Sequence, residues 1–135
     1  MMRKDFQRLA DLRAKEAGVL AGSGNEQGAY YLAGYAVECA LKACISKKTR
    51  RHEFPDKDYA YDVYTHSVDK LLKLAKLNKQ MEKDMKNNPA LAANWGVVRD
   101  WSEDSRYVAS GLKGTDLHAA ILGADGVLAW IKQRW

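Results

Sequence analysis

The chain holds only two cysteines, two prolines and three histidines in 135 residues, and each scarcity removes a class of protein. Cys39 and Cys44 stand five apart, a spacing that turns them well away from each other on a helix, so no disulfide is expected and both read as core thiols. No third or fourth soft ligand lies near them, and His52, His66 and His118 are scattered without a helical His pair, so neither a metal site nor a cofactor is expected. There is no glycine-rich phosphate loop; Gly22, Ser23, Gly24 and Asn25 read as the turn between two helices, and conventional ATP hydrolysis has no support. No apolar run reaches the roughly 20 residues of a bilayer span, the longest being cut by Glu38 and Lys42. The opening MMRKDFQRLADLR alternates charges instead of leading into an apolar stretch, so a secretory leader is not expected and the protein is expected in the cytoplasm, away from membranes.

Helical periodicity, by contrast, is plentiful. Hydrophobic residues at 47% and charged residues at 29% suit one soluble domain over residues 1–135. The segment Ala29–Ile45, AYYLAGYAVECALKACI, sorts into rows at 3.6 residues per turn. Ala29, Ala33, Ala36, Ala40 and Ala43 form one row, and Tyr30, Gly34, Val37, Leu41 and Cys44 the next. A third row runs Tyr31, Tyr35, Glu38, Lys42 and Ile45, which sets the only two charges of the segment one turn apart between phenols and an aliphatic. Glu38 has two readings: an intrahelical pair with Lys42, or a buried carboxylate kept for a tertiary partner.

A first helix is expected from about Lys4 to Leu20, with Phe6, Leu9, Ala10, Leu12, Ala17 and Leu20 inward. Lys47 to Tyr64, with Pro55 and tyrosines 59, 61 and 64, reads as a loop. Thr65 or Ser67 can cap a third helix that buries Val68, Leu71, Leu72 and Ala75 and ends near Leu77 or Asn78. A break or kink is expected over Lys79 to Lys86, before Asn88 and Pro89 start the next helix, which carries Leu91, Trp95 and Val98 inward. Ser102 to Tyr107 leaves or prolongs that helix, and a flexible stretch with Gly111 and Gly114 comes next. Thr115 is the expected cap of the last helix, whose stripe is Leu117, Ile121, Ala124, Leu128 and Ile131. Gly123 and Gly126 are expected to let another helix approach. No strand pattern competes, so the expected fold is all-α: an antiparallel up-and-down bundle of about five helices.

The net charge is +5 and the isoelectric point near 9.2, which favours phosphate-bearing partners in a salt-dependent way. Lys47, Lys48, Arg50, Arg51 and His52 form one basic cluster; Lys70, Lys73, Lys76, Lys79, Lys83 and Lys86 decorate the third helix and its extension. Such residues read as a solvated face or as a surface for RNA or another anionic partner.

The phrase ECALKA within the second helix, THSVDKLLKL from Thr65 to Leu74, NWGVVRDWSEDSRY from Asn94 to Tyr107, and the first helix DFQRLADLRAKEA together resemble HEPN domains, in the expected order and over most of the chain. The resemblance implies a helical bundle that commonly pairs as a homodimer. It also implies a nucleotide or RNA ligand, or a protein partner such as a nucleotidyltransferase, within a toxin–antitoxin or defence system. Catalytic members of that family are metal-independent endoribonucleases with an arginine, four to six residues, and a histidine. Here His52, His66 and His118 would need an arginine at residues 45–47, 59–61 or 111–113, and none is present. Only lysine versions exist, Lys47 with His52 and Lys113 with His118; lysine lacks the planar guanidinium fork. The expectation is therefore a non-catalytic binding module, with a degenerate Lys113/His118 endoribonuclease as the alternative. The resemblance puts Arg106 and Tyr107 at a polar groove. Arg106 is expected to pair with Glu38 in a network with His66, or to receive a phosphate while Tyr35, Tyr107 or Trp101 offers a face to a base, with Lys42 alongside.

Overall fold

Alanine spacing decides how the first two helices pack. Ala10, Ala14 and Ala17 make a smooth face on the first helix, and the alanine row of the second lets two backbones come close. In the computed structural model, which describes residues 2–48 and 64–135, these are α1 (Arg3–Gly22) and α2 (Glu26–Lys48), and they pack against each other more extensively than any other pair. The described remainder is α3 (Val68–Leu74), α4 (Asn78–Asn87), α5 (Pro89–Arg99), a 3-10 turn (Glu103–Tyr107), α6 (Gly114–Ile121) and α7 (Val127–Lys132). No strand occurs among the described residues, so the fold is an all-α bundle.

Helix α2 is its axis. It touches α1, α3, the 3-10 turn, α6 and α7, which is why apolar residues occupy most of its circumference and why all five alanines of its row are fully buried. That row is covered by other elements of the same chain. On α1 the inward face is narrower than its apolar residues suggest, and Leu12 points to solvent at 45% exposure.

Ser67 caps α3 by accepting the Lys70 backbone N–H, and Asn88 caps α5 by accepting that of Leu91, as the residue types predict. Val68, Leu71, Leu72, Ala75, Leu91, Trp95 and Val98 are buried. Other expectations fail. Helix α3 stops at Leu74, ahead of Leu77, because Lys76 adopts a left-handed conformation with φ 60° that cannot continue a helix. The charged segment expected to break is the regular helix α4. Met81, buried, and Met85, half-buried, suffice to anchor it, while Lys79, Lys83 and Lys86 lie exposed on the opposite face.

The last helix, expected to be continuous, is two. Gly123 at φ +81° reverses the chain after α6, and a Cβ on Gly126 would come within 2.2 Å of the Leu122 carbonyl oxygen. These glycines make a turn, not a helix contact, and Ala124 in that turn is exposed. Five expected helices thus become seven among the described residues. Gly114, expected in a flexible stretch, is buried at the start of α6 against the first turn of α2. Thr115 is not the cap: its N–H and hydroxyl both donate to the Glu26 carboxylate of α2, which holds Glu26 below the usual carboxylate range. Most of the expected loop, with Pro55, Tyr59 and Tyr61, and the basic Arg50, Arg51 and His52 lie outside the described residues.

Candidate functional site

The third row of α2 faces the 3-10 turn, and the meeting of the two builds an aromatic edge. Tyr31 and Tyr35 stack with ring centroids 6.0 Å apart and planes at 18°; Tyr31 also stacks on Trp101, at 6.3 Å and 29°. Trp101 can lie there because Gly34, one turn from Tyr30, has no side chain. A Cβ on Gly34 would sit 2.2 Å from three indole atoms. Trp101 is therefore the floor of the edge, 4% exposed, and the half-buried Tyr31 and Tyr35 are its wall. Burial, with Cys39 and Glu38 nearby, pushes the Tyr35 phenol up, so it stays protonated at neutral pH.

Beneath the edge lies Glu38, 2% exposed, and both readings of it hold at once. Its Oε2 accepts from Lys42 Nζ at 3.2 Å, and its Oε1 lies 2.9 Å from His66 Nδ1. The other ring nitrogen of His66 is 3.1 Å from Glu103 Oε2. One imidazole thus ties α2, the residue before the α3 cap, and the 3-10 turn into a single frame. A carboxylate at this depth requires such partners, because burying it unpaired is costly.

Arg106 does not join this network. Among the described residues no ion pair links it to Glu38, and it stands exposed with its Cζ 4.8 Å from the centroid of the Tyr107 ring, itself 74% exposed. Side-chain contacts with the Tyr107 and Tyr31 hydroxyls, together with the charge of Glu103, hold its guanidinium above its ordinary pKa. The reason for the outward direction is local. A 3-10 turn has three residues per turn, so when Ser105 faces the core, Arg106 and Tyr107 must face away.

The expected ligand residues therefore divide. Arg106 and Tyr107 are on the surface, His66 and Tyr35 are partly exposed, and Glu38, Lys42 and Trp101 support them from inside. The Lys113/His118 pair lies elsewhere. Lys113 is exposed ahead of α6, while the His118 ring packs on α1, its Nε2 3.0 Å from where a Cβ of Gly18 would be. Sequence reasoning missed two residues with tertiary contacts: Gln27, whose side chain takes the Leu112 N–H and donates to the Val108 carbonyl and so fastens the stretch after the 3-10 turn to α2, and Glu103, which joins the edge's frame through His66. Position within motifs gave no signal for Gln27; Glu103 was legible only as part of a charged run. Among the described residues no group of three or more His, Cys, Asp or Glu side chains is arranged to hold a metal ion. Comparisons with protein-family models, with curated proteins and with solved structures found no match.

Proposed function

We propose that the chain is a non-catalytic, HEPN-type binding module that takes up a nucleotide or the end of a single-stranded RNA along the edge formed by Tyr31, Tyr35, Arg106 and Tyr107. The observation that carries this reading is an exposed guanidinium stacked on an exposed phenol, beside two stacked tyrosines, with no carboxylate among the described residues ion-paired to it. Such a set offers ring faces to bases and a planar cation to phosphate. Its rigid support from Glu38, His66 and Glu103 means that little ordering is required when a ligand arrives. In the same reading the module serves a toxin–antitoxin or defence system beside a nucleotidyltransferase or other partner protein.

The test is fluorescence anisotropy with a labelled single-stranded RNA and with free nucleotides at low and moderate salt. Affinity should fall as salt rises, and Arg106→Ala and Tyr107→Ala should each remove most of the binding while the circular dichroism of the protein is unchanged. An absence of binding to any nucleotide or RNA at low salt overturns the proposal.

A further inference from the structure

His66 stands between two carboxylates. Its Nδ1 lies 2.9 Å from Glu38 Oε1 on α2, and its Nε2 lies 3.1 Å from Glu103 Oε2 on the 3-10 turn, so each ring nitrogen meets an acid. Only an imidazolium serves both, because a neutral imidazole keeps one N–H and presents a lone pair on its other nitrogen. The two acids are not equal. Glu38 is buried and cannot turn to water, and Lys42 covers only its other oxygen, whereas Glu103 is 32% exposed and can swing outward. The one remaining proton therefore stays with Glu38, where an unpaired carboxylate costs most, and Glu103 is the acid that is let go.

The one cation on the turn that carries Glu103 is Arg106. Residues three apart in a 3-10 turn eclipse, so the two share a face, and the charge of Glu103 already acts on the Arg106 guanidinium. The other charges around the imidazole do not compete for Glu103. Lys42 is held by Glu38, and Asp104, which lines the same cavity as His66, is a further acid. On α3, which His66 precedes, Asp69 pairs with Lys73 and Arg99, and Lys70 is exposed.

We propose, resting on the nucleotide or RNA reading above, that His66 is a proton-operated switch on the Arg106 edge. The imidazolium holds Glu103 away from Arg106 and leaves the guanidinium open to a phosphate; neutral His66 releases Glu103 to pair with Arg106 and closes it. An imidazole changes charge between about pH 5 and pH 8, a range over which a guanidinium stays protonated. Affinity for a phosphate-bearing ligand is therefore high on the acid side of that range and falls as the pH rises.

The experiment follows the Arg106 Cζ carbon resonance by NMR in the ligand-free protein from about pH 5 to pH 8, assigned by its loss in Arg106→Lys. In parallel it measures the anisotropy of a labelled oligouridylate, whose phosphodiesters and bases keep their charge over that range, at constant salt. In wild type the resonance should move, and affinity should fall about fivefold from the acid to the alkaline end, the size of an exposed ion pair that a phosphate must displace. Glu103→Gln, at a partly exposed position, keeps the shape without the charge. Its resonance should stay still and its affinity should hold the acid-side value throughout. His66→Gln keeps an N–H for Glu38 but no titrating charge, so it should show the alkaline-side resonance and affinity at every pH. A resonance that stays still in wild type, or that still moves in Glu103→Gln or in His66→Gln, overturns the switch. The expected resonance behaviour in a protein that binds no RNA overturns the binding reading and keeps the switch. RNA binding that depends on Arg106 but not on pH overturns the switch and keeps the binding reading.

Discussion

Two arginines among the described residues stack on aromatic rings, and their surroundings differ in one decisive way. Arg134 lies 3.9 Å over the Trp130 ring, donates to the Trp130 carbonyl, and reaches Asp84 Oδ2 at 3.2 Å. That same carboxylate oxygen accepts the Trp130 indole N–H at 2.8 Å. Cation, ring and carboxylate are all consumed there, and the group fastens α7 to α4. Arg106 on Tyr107 has the same cation and an equivalent ring face but no ion-paired carboxylate among the described residues, because Glu103 on its own turn is turned to His66. A stack closed by an acid holds helices together; a stack left open can take an anion from outside. The comparison explains why the proposed binding role is assigned to Arg106 and not to Arg134.

The largest expected effect comes from removing what keeps the open stack's frame rigid. Glu38→Ala leaves Lys42 largely buried and unpaired and frees His66, so it should cost about 3 kcal/mol of stability in urea unfolding. Gly34→Ala is next. It gains about 1 kcal/mol in helix propensity, but its Cβ would overlap an indole that is buried and rigid. A net loss of about 2 kcal/mol is expected, with a change in Trp101 near-ultraviolet dichroism that the gain of propensity alone would not produce. A Gly34→Ala protein as stable as wild type would show that the edge's floor can move, and would weaken the claim of preorganisation.

The two arginines offer a paired test of intermediate size. Arg106→Ala should lower nucleotide or RNA affinity on the order of tenfold without moving the urea midpoint. Arg134→Ala should do the reverse, lowering stability by about 1 kcal/mol from the lost stack alone and leaving affinity unchanged. If both variants behave alike, the distinction between a closed and an open stack fails.

Much of this was legible in the sequence, but unevenly. The three rows of α2 were readable because a 17-residue segment samples the helical period several times, and Ser67 and Asn88 were readable because a cap is a local device. The site's interior came with those rows, since a lone acid among phenols on such a helix must find partners. The direction of Arg106 was not readable. The sequence lets Ser102–Tyr107 either leave or prolong the preceding helix, and the 3-10 winding it adopts decides which side chains face outward. Helix α4 was missed because two methionines among eight charged and amide residues are a weak stripe, strong enough only once the bundle provides a groove for them. Helix α6 was misread at its start because its acceptor comes from another helix, in Glu26.

The smallest expected effect is the acid sensitivity of the closed stack. Hydrogen bonds from Trp130 and Gln80, with the charge of Arg134 nearby, hold the Asp84 carboxyl below the usual carboxylate range. A carboxylate depressed in the folded state contributes stability that is complete above its unfolded pKa of about 4 and is lost as pH falls through the lower, folded value. Lowering the pH from neutral should therefore leave this contribution intact until about pH 4 and erode it below, detaching α7 from α4 before the bundle unfolds. Asp84→Asn keeps an acceptor for the Trp130 N–H but removes the charge, so at about pH 7 it should destabilise the protein less than Glu38→Ala does, and its stability should fall less steeply between about pH 4 and pH 2 than that of wild type. The open stack gives the control. Arg106 has no acid-dependent ion pair among the described residues to lose, so Arg106→Ala should show the wild-type acid profile. A steeper profile in Arg106→Ala than in wild type would mean that an acid closes that stack too, and the contrast between the two arginines would collapse.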